Sequence, residues 1–316
     1  SGHTIAQNDR ALCVLPIYHI NGLCVTVMGS TVSSSTLILP YRFSASVFWD
    51  IIVKYKCSWF SAVPTQFAYI LNQSETAGDL SHLRFARSAS APLSPNIHQR
   101  FEERFKVPII ETMGLTETGS QISTNPMPPA VRKIGSIGQA YGNEITIGDK
   151  DQAPVASGIT GEILVRGANV MQGYFKQPEE TAKTITDQGW LRTGDLGFMD
   201  EDGFIFVSGR IKELIIKGGE NIAPREIDEA LLEHPAILEA AAFAVPCADY
   251  GERVEACIRF KETVTVPLDA LYDHCKAGLG SFKSPDVIHI LEDLPKGPSG
   301  KVQRLKLFKL IYPTHV

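Results

Sequence analysis

The sequence predicts an α/β protein in three stretches: a βα sheet layer over residues 1–133, a β-barrel-like portion over 134–210, and a small α+β domain over 211–316. Three textures carry this reading. Up to Thr112, short apolar runs alternate with amphipathic stretches, the pattern of strands alternating with helices. From Ile134 to Arg210, β segments are punctuated by glycine, as in a small antiparallel sheet or barrel. Beyond Arg210, helical spacing and strand-like runs mix.

In the first stretch, ALCVLP, TLILP, CSWFSAV, RFARS and VPIIE read as strands separated by candidate helices. One helix is SPNIHQRFEERF, with Ser94 as N-cap, Pro95 at the first helical position, and Ile97, Phe101 and Phe105 on one face. His98 stands one step from that apolar stripe and is read as structural. The middle stretch offers GSIGQAYGNEITI, GEILVRG and DGFIFVSGR as β segments. The last offers a helix over 224–234, with Ile227, Ala230 and Leu231 inward and Glu226, Asp228 and Glu229 facing away. Strands near EAAAFAV and RVEACIRF and a helix near LDALYDHCKAGL follow, and the domain boundary is placed at 210–212.

The 316 residues are 44% apolar and 21% charged, enough to bury a core and to form more than one domain. A formal net charge of -5 argues against a nucleic-acid partner. The six cysteines are scattered, without a C-x-x-C pair, and read as buried reduced thiols. The sequence has neither an apolar run of about 20 residues, the length that spans a bilayer, nor a charged-then-apolar leader pattern, so a cytoplasmic enzyme is expected. Because the chain opens on Ser1-Gly2-His3 without a methionine, a longer parent protein is expected too.

Five segments are too polar, glycine-rich or acidic for packing alone. ETMGLTETGS (111–120) brings two glycines, three threonines and, beyond Glu111, the carboxylate of Glu117 into one turn after a strand. Its hydroxyls and N–H groups suit a phosphate and Glu117 suits Mg²⁺, although caps at strand-to-helix turns have a similar composition. GWLRTGDLG (189–197) sets Asp195 between glycines, suited to a pair of ribose hydroxyls or to a turn that bonds its own backbone. GRIKELIIKGGENIAPREI (209–227) puts Arg210, Lys212 and Lys217 before a double glycine, either as a hinge or as a solvated linker. PKGPSGKVQR (295–304) carries Lys301 on a Pro/Gly/Ser turn, where a lysine can be delivered to an anionic transition state or simply solubilise. PIYHINGL (16–23) places His19 beside Tyr18 and Gly22 at a strand end, lining a cleft or serving structure.

Taken in order, these segments resemble the adenylate-forming superfamily of acyl-coenzyme A synthetases, peptide-synthetase adenylation domains and firefly luciferase. The likeness runs from Ala11 to Leu307, and GWLRTGDLG and GRIKELI with KGGENIAP are its most specific parts. It implies part of a large adenylate-forming N-domain followed by a small mobile C-terminal domain. Ser90, Ala91 and Pro92, with Glu111, Thr112, Met113 and Gly114, would form the adenine and phosphate pocket of ATP and AMP, Met113 covering the base. Thr116 and Glu117 would take phosphate and Mg²⁺, Asp195 and Arg210 the ribose, and Lys301 the acyl carboxylate and α-phosphate. Lys212 would be the hinge, and Gly218, Gly219 and Glu220 would approach the pantetheine of coenzyme A when the small domain rotates.

The reaction implied is ATP-dependent joining of a small-molecule carboxylic acid to coenzyme A. Two rivals are an enzyme loading a carrier-protein thiol and a non-catalytic AMP-binding relative; a homodimer is compatible with any of them. RFSASVFW (42–49), AVPTQ and RSASAPLSP are most similar to oxalate–coenzyme A ligases, yet Ser120 stands where those ligases carry a histidine. Loss of that basic group argues against oxalate and leaves small or medium monocarboxylates open. The superfamily's Thr/Ser/Gly-rich loop, which wraps the β- and γ-phosphates, is expected upstream of Ala11. A chain without it is expected to be inactive or very weak alone and still able to bind adenosine or AMP.

Overall fold

The computed structural model describes residues 2–73, 78–262 and 264–314, and the chain separates into two compact units, Ser1–Val207 and Ser208–Val316. The first unit is built on strands β1 (Arg10–Cys13), β2 (Thr36–Ile38), β3 (Trp59–Ala62), β4 (Phe85–Ser88), β5 (Ile109–Leu115), β6 (Ser120–Thr124) and β7 (Gln139–Ala140). They form one sheet in the order β2-β1-β3-β4-β5-β6-β7, parallel through β5 and antiparallel beyond it. The apolar runs of β1, β3 and β4 are buried along nearly their whole length, as a parallel sheet covered on both faces requires. A π-helix (Asn21–Met28) runs into α1 (Gly29–Val32), and α2 (Phe48–Lys54), α3 (Pro64–Leu71) and α4 (Pro95–Phe105) connect the later strands.

The inward residues of α4 are those its spacing selects, with Ile97, Phe101 and Phe105 all buried. Phe101 stacks edge-on against Phe67 and packs against Phe60, while Trp49 lies 4.5 Å from Phe105 between ring centroids. Each such buried aromatic is worth roughly 1.5–3 kcal/mol in area removed from water. Ser94 occupies the N-cap position in extended conformation, but its side chain makes no capping hydrogen bond. Pro95 at the first turn removes one of the N–H groups that would need one.

A second sheet comprises β8 (Glu144–Gly148), β9 (Gly161–Arg166), β10 (Leu191–Met199) and β11 (Ile205–Arg210), in the order β11-β10-β9-β8, with α5 (Pro178–Thr184) between β9 and β10. Its core is Ile137, Ile147, Ile163, Ile205 and Val207. The residues preceding β7 are tied to β11, because the N–H of Ile137 donates to the Ile205 carbonyl and that of Ile205 to Gly138.

In the second unit, β12 (Ile215–Lys217), β13 (Glu220–Ile222), β14 (Ile237–Cys247), β15 (Gly251–Phe260) and β16 (Val287–Ile290) share a sheet in which β15 is flanked by β14, β12 and β16. Helices α6 (Pro224–Glu233), α7 (Leu268–Lys283) and α8 (Leu307–Ile311) complete it. Ile227 and Leu231 of α6 sink into a core with Ile215, Ile258 and Leu271. Asp228 departs from the expectation that it faces away: it accepts the Ala242 N–H at 2.6 Å and pairs with Arg304. The end of α7 extends past the expected helix and bends at Gly280, whose φ of +73° is non-helical. All six cysteines are free; Cys13, Cys57, Cys257 and Cys275 are buried. Burial pushes Cys57 and Cys275 up to about 11 and Cys257 to about 12, so these thiols are poor nucleophiles at neutral pH. Among the described residues, no helix is long and apolar enough to cross a membrane.

Candidate active site

The loop after β4 is fastened from beneath by β5. Glu111, only 1% exposed, accepts the Leu93 N–H at 3.1 Å, and its second carboxylate oxygen lies 3.9 Å from His98 Nδ1 on α4. Thr112, also buried, donates its hydroxyl to the Ser88 carbonyl at 3.4 Å. Ser90 is held at φ +77°, in the left-handed region, and its hydroxyl accepts from Asn21 Nδ2 at 3.2 Å. Thus Ser90, Ala91 and Pro92 form a half-buried, fixed loop beyond the carboxyl end of a parallel strand, where ligands of α/β sheets bind. Glu111 and Thr112 support that loop instead of lining it.

The same α4 is anchored through Glu102, which accepts from His98 at 3.0 Å, from the Ile109 N–H at 2.6 Å and from Arg132 at 2.6 Å. Burial works against this carboxylate, yet those hydrogen bonds outweigh it and hold it down at about 2.

The stretch 111–120 is not the single turn expected. Strand β5 continues to Leu115, a 3₁₀ turn covers Thr116–Thr118, and β6 returns antiparallel. Gly114 is required by close approach: a Cβ there would stand 2.2 Å from the Ser120 carbonyl oxygen across the hairpin. Met113 is half-buried against the isoleucine core of the second sheet. Thr116 is exposed at the turn, while Glu117 accepts from the Tyr174 hydroxyl at 3.0 Å and its backbone carbonyl accepts the Met171 N–H. Burial and this hydrogen bond push the Tyr174 phenol up.

Among the described residues, no cluster of three or more His, Cys, Asp or Glu side chains could hold a metal alone. A lone half-buried carboxylate nevertheless fits Mg²⁺, which keeps several waters and is commonly held by one or two carboxylates plus substrate phosphates.

Asp195 lies within β10, not in a free turn, where the register against β9 shifts between Arg192 and Leu196. It is buried, its N–H bonded to Thr193 Oγ1 at 3.0 Å, and the preceding Gly194 N–H donates to Glu162. His19 stands six residues beyond β1, its Nδ1 accepting the Asn21 N–H at 3.3 Å as the π-helix begins. Gly22 on that helix again answers close approach, since a Cβ would meet the Pro16 carbonyl at 2.4 Å.

In the second unit, Arg210 ends β11 exposed and Lys212 is exposed on the 3₁₀ turn Ile211–Glu213. Gly218 and Gly219, at φ +60° and +84°, make a two-residue hairpin in which Lys217 pairs with Glu220 across the strands. This is the turn geometry that demands two positive φ values. Lys217 is not a solvated basic residue: it is buried, 3.4 Å from Asp286 and facing the rings of Phe282 and Tyr250. Lys301 sits on a tight turn closed by Gly297 N–H donating to the Lys301 carbonyl at 2.8 Å and a bridge from Lys296 to Val302. Arg304 fixes the base of that turn, bonding Glu213 at 3.0 Å and Asp228 at 2.6 Å. It thereby ties the Lys301 turn to the residue following Lys212.

Two arginines that sequence reasoning did not single out hold these loops together. One is Arg304; the other is Arg87 on β4, 2% exposed, bonded to Asn21, Ser61 and Gln121. The available signal was an arginine inside the strand run RFARS, since charged residues are rarely fully buried unless paired.

The fold and these loops define a nucleotide-binding type of α/β protein with a small α+β C-terminal unit. The chain belongs to the AMP-binding enzyme family, which matches residues 2–175, and the AMP-binding enzyme C-terminal domain matches 226–301. It is 49% identical to the sulfoacetate–CoA ligase of Cupriavidus necator over 96% of this chain and 60% of that protein. It is 38% identical to the oxalate–CoA ligase of Saccharomyces cerevisiae over 94% of this chain and 54% of that one. Its structure resembles o-succinylbenzoate–CoA synthetase from Bacillus subtilis in complex with its acyl-adenylate intermediate, with a TM-score of 0.84, 34% identity, and coverage of 96% of this chain and 61% of that one. The chain therefore spans about 60% of the length of such relatives.

Proposed function

We propose that the full-length protein is an ATP-dependent acyl-coenzyme A synthetase. A carboxylate oxygen attacks the α-phosphorus of ATP, giving acyl adenylate and pyrophosphate; the thiol of coenzyme A then attacks the acyl carbon and AMP leaves. The chemistry has a simple cause: a carboxylate becomes an acyl donor only when its oxygen is turned into a phosphate leaving group. The observation that carries the reading is the fixed Ser90–Pro92 loop and the Thr116–Glu117 turn, both at the carboxyl-end side of the parallel sheet, in a chain of this family.

In this reading Ser90, Ala91, Pro92, Met113 and Gly114 receive the adenine and phosphates, and Glu111 and Thr112 keep that loop in place. Thr116 binds phosphate, and Glu117 holds Mg²⁺, which would supply charge neutralisation at the phosphates when bound. Asp195 and Arg210 take the ribose hydroxyls. Lys301 is the cation of the first half-reaction, stabilising charge shared by the acyl carboxylate and α-phosphate. Lys212 is the pivot, Gly218, Gly219 and Glu220 serve the thiol half, and His19 borders the acyl group. The cited relatives act on sulfoacetate, oxalate and o-succinylbenzoate, which supports a carboxylic acid as substrate here. A cytoplasmic location suits an enzyme that consumes ATP and coenzyme A.

A panel of carboxylic acids supplied to the full-length protein with ATP and Mg²⁺ tests this. Acid-dependent pyrophosphate release, with acyl-coenzyme A and AMP accumulating when coenzyme A is added, is expected. Thioester formed only on a phosphopantetheinyl carrier protein would instead assign the carrier-loading reaction, and no pyrophosphate with any acid would refute both.

A further inference from the structure

Arg87 is a buried guanidinium without a carboxylate. Its Nη1 donates to Asn21 Oδ1 at 2.7 Å and to Ser61 Oγ at 3.1 Å, and its Nη2 reaches Gln121 Oε1 at 3.3 Å. Nε is buried and has no partner. Of five N–H groups, three are therefore engaged, all by neutral oxygens, and two are left, enough for a bidentate grip on an oxyanion. Among the described residues, no Asp or Glu comes within ion-pair distance of this side chain, and burial alone pulls it down to about 9, so it still carries its charge at neutral pH. A buried charge without a counter-ion is an arrangement that proteins avoid unless something completes it.

The surroundings say what completes it. Ser61 and Arg87 are register partners near the carboxyl ends of neighbouring parallel strands β3 and β4. Gln121 is the register partner of Gly114 in the nucleotide-side hairpin. Asn21 bonds Arg87 through its oxygen and Ser90 through its nitrogen. One amide thus joins the guanidinium to the loop assigned to the nucleotide. A group held by Arg87 belongs to the same ligand assembly as the adenylate, and not to a remote part of the protein.

We propose that Arg87, steadied by Asn21, Ser61 and Gln121, binds a second anionic group on the acyl substrate, making the protein selective for short carboxylic acids that carry a further carboxylate or sulfonate. The inference rests on the synthetase reading. It also changes the expectation drawn from Ser120: the absence of a basic side chain there does not remove the basic group, because Arg87 supplies it from β4.

The test compares malonate and sulfoacetate with propionate, the first two ending in an anion where propionate ends in a methyl group, on the full-length protein and on Arg87→Met and Arg87→Lys. Wild type is expected to favour at least one of the two dianions over propionate in kcat/KM by on the order of 100-fold, because a site built for a polar group strongly rejects the analogue lacking it. Whichever dianion wins names the group. Arg87→Met should erase the preference while propionate turnover changes only a few-fold, and Arg87→Lys should restore part of it. The winning dianion should also raise the melting temperature of wild type but not of Arg87→Met. Wild type that uses propionate as well as both dianions overturns the proposal, whatever the variants do, and leaves the synthetase reading standing. So does an Arg87→Met variant that keeps the wild-type preference, as it would if another part of the protein supplied the counter-ion. Failure of every acid to release pyrophosphate removes the synthetase reading and this inference with it.

Discussion

Two arginines, one in each unit, are handled in opposite ways, Arg87 fully buried and Arg304 largely so with 15% of its side chain exposed. Arg304 meets Asp228 and Glu213 and also donates to the Ala242 carbonyl; those two carboxylates hold it above the usual guanidinium range although burial works against it. Among the described residues Arg87 meets an asparagine, a serine and a glutamine and no carboxylate, and burial pulls it down. The first is charge settled within the fold, the second charge left for something outside it. The loops divide similarly. The Lys301 turn and the Gly218–Gly219 hairpin are short turns closed by backbone pairing, whereas the half-buried Ser90–Pro92 loop is clamped by buried Glu111 and Asn21. An arginine that serves the fold has its charge met by carboxylates; one that serves a ligand can be left with neutral partners.

Removing the settled charge should hurt most. Arg304→Met leaves Asp228 and Glu213 without their cation and should cost about 3–5 kcal/mol, read by denaturant unfolding of the second unit. Adding Asp228→Leu should return much of it, because replacing a whole buried pair by apolar groups is often neutral. A loss under about 1 kcal/mol for the single change would mean that the pair contributes no more than a surface bridge.

Glu102→Gln should cost about 1.5–3 kcal/mol at neutral pH, since three hydrogen bonds to a charged acceptor are weakened. The sign in pH follows from its depressed folded value of about 2. The stabilisation is complete above the ordinary glutamate range near 4.5 and fades as pH falls from there toward 2, so the difference between wild type and Glu102→Gln should shrink over that window. A difference that grows on acidification would show that His98 and Arg132 do not hold this carboxylate charged.

The smallest effect is expected at Arg87. Without ligand, Arg87→Met should shift stability by less than about 1 kcal/mol in either direction, because lost hydrogen bonds are offset by removal of an uncompensated buried charge. A penalty as large as that of Arg304→Met in the full-length protein would place a counter-ion within the fold and abolish the contrast.

Much of the frame was legible because periodicity reports burial. The α4 stripe of Ile97, Phe101 and Phe105 and the α6 positions Ile227 and Leu231 are buried as their spacing requires. What sequence could not supply was the destination of polar groups. Asp228 lies off the apolar stripe of α6 and reads as solvent-facing until β14 and Arg304 approach it. Asp195 between glycines reads as a turn, yet Gly194 sits at φ +71° in a register shift inside β10 and Gly197 faces the Phe206 carbonyl, which a Cβ would meet at 2.3 Å. Glu111 and Thr112 read from sequence as lining a pocket, but only tertiary structure reveals that they bond Leu93 and Ser88 beneath the loop. Arg87 shows the same limit, since its neutral partners come from residues 21, 61 and 121.

The division of labour between the two units is tested most directly by separating the two half-reactions of the full-length protein carrying Lys301→Ala. Acyl-adenylate formation is followed by pyrophosphate exchange, and thioester formation from supplied acyl adenylate and coenzyme A. The account predicts loss of the first by on the order of 100-fold or more, as for removal of a charge that acts only in the transition state, with the second changed only a few-fold. Equal losses in both halves, or an unimpaired first half, would contradict it.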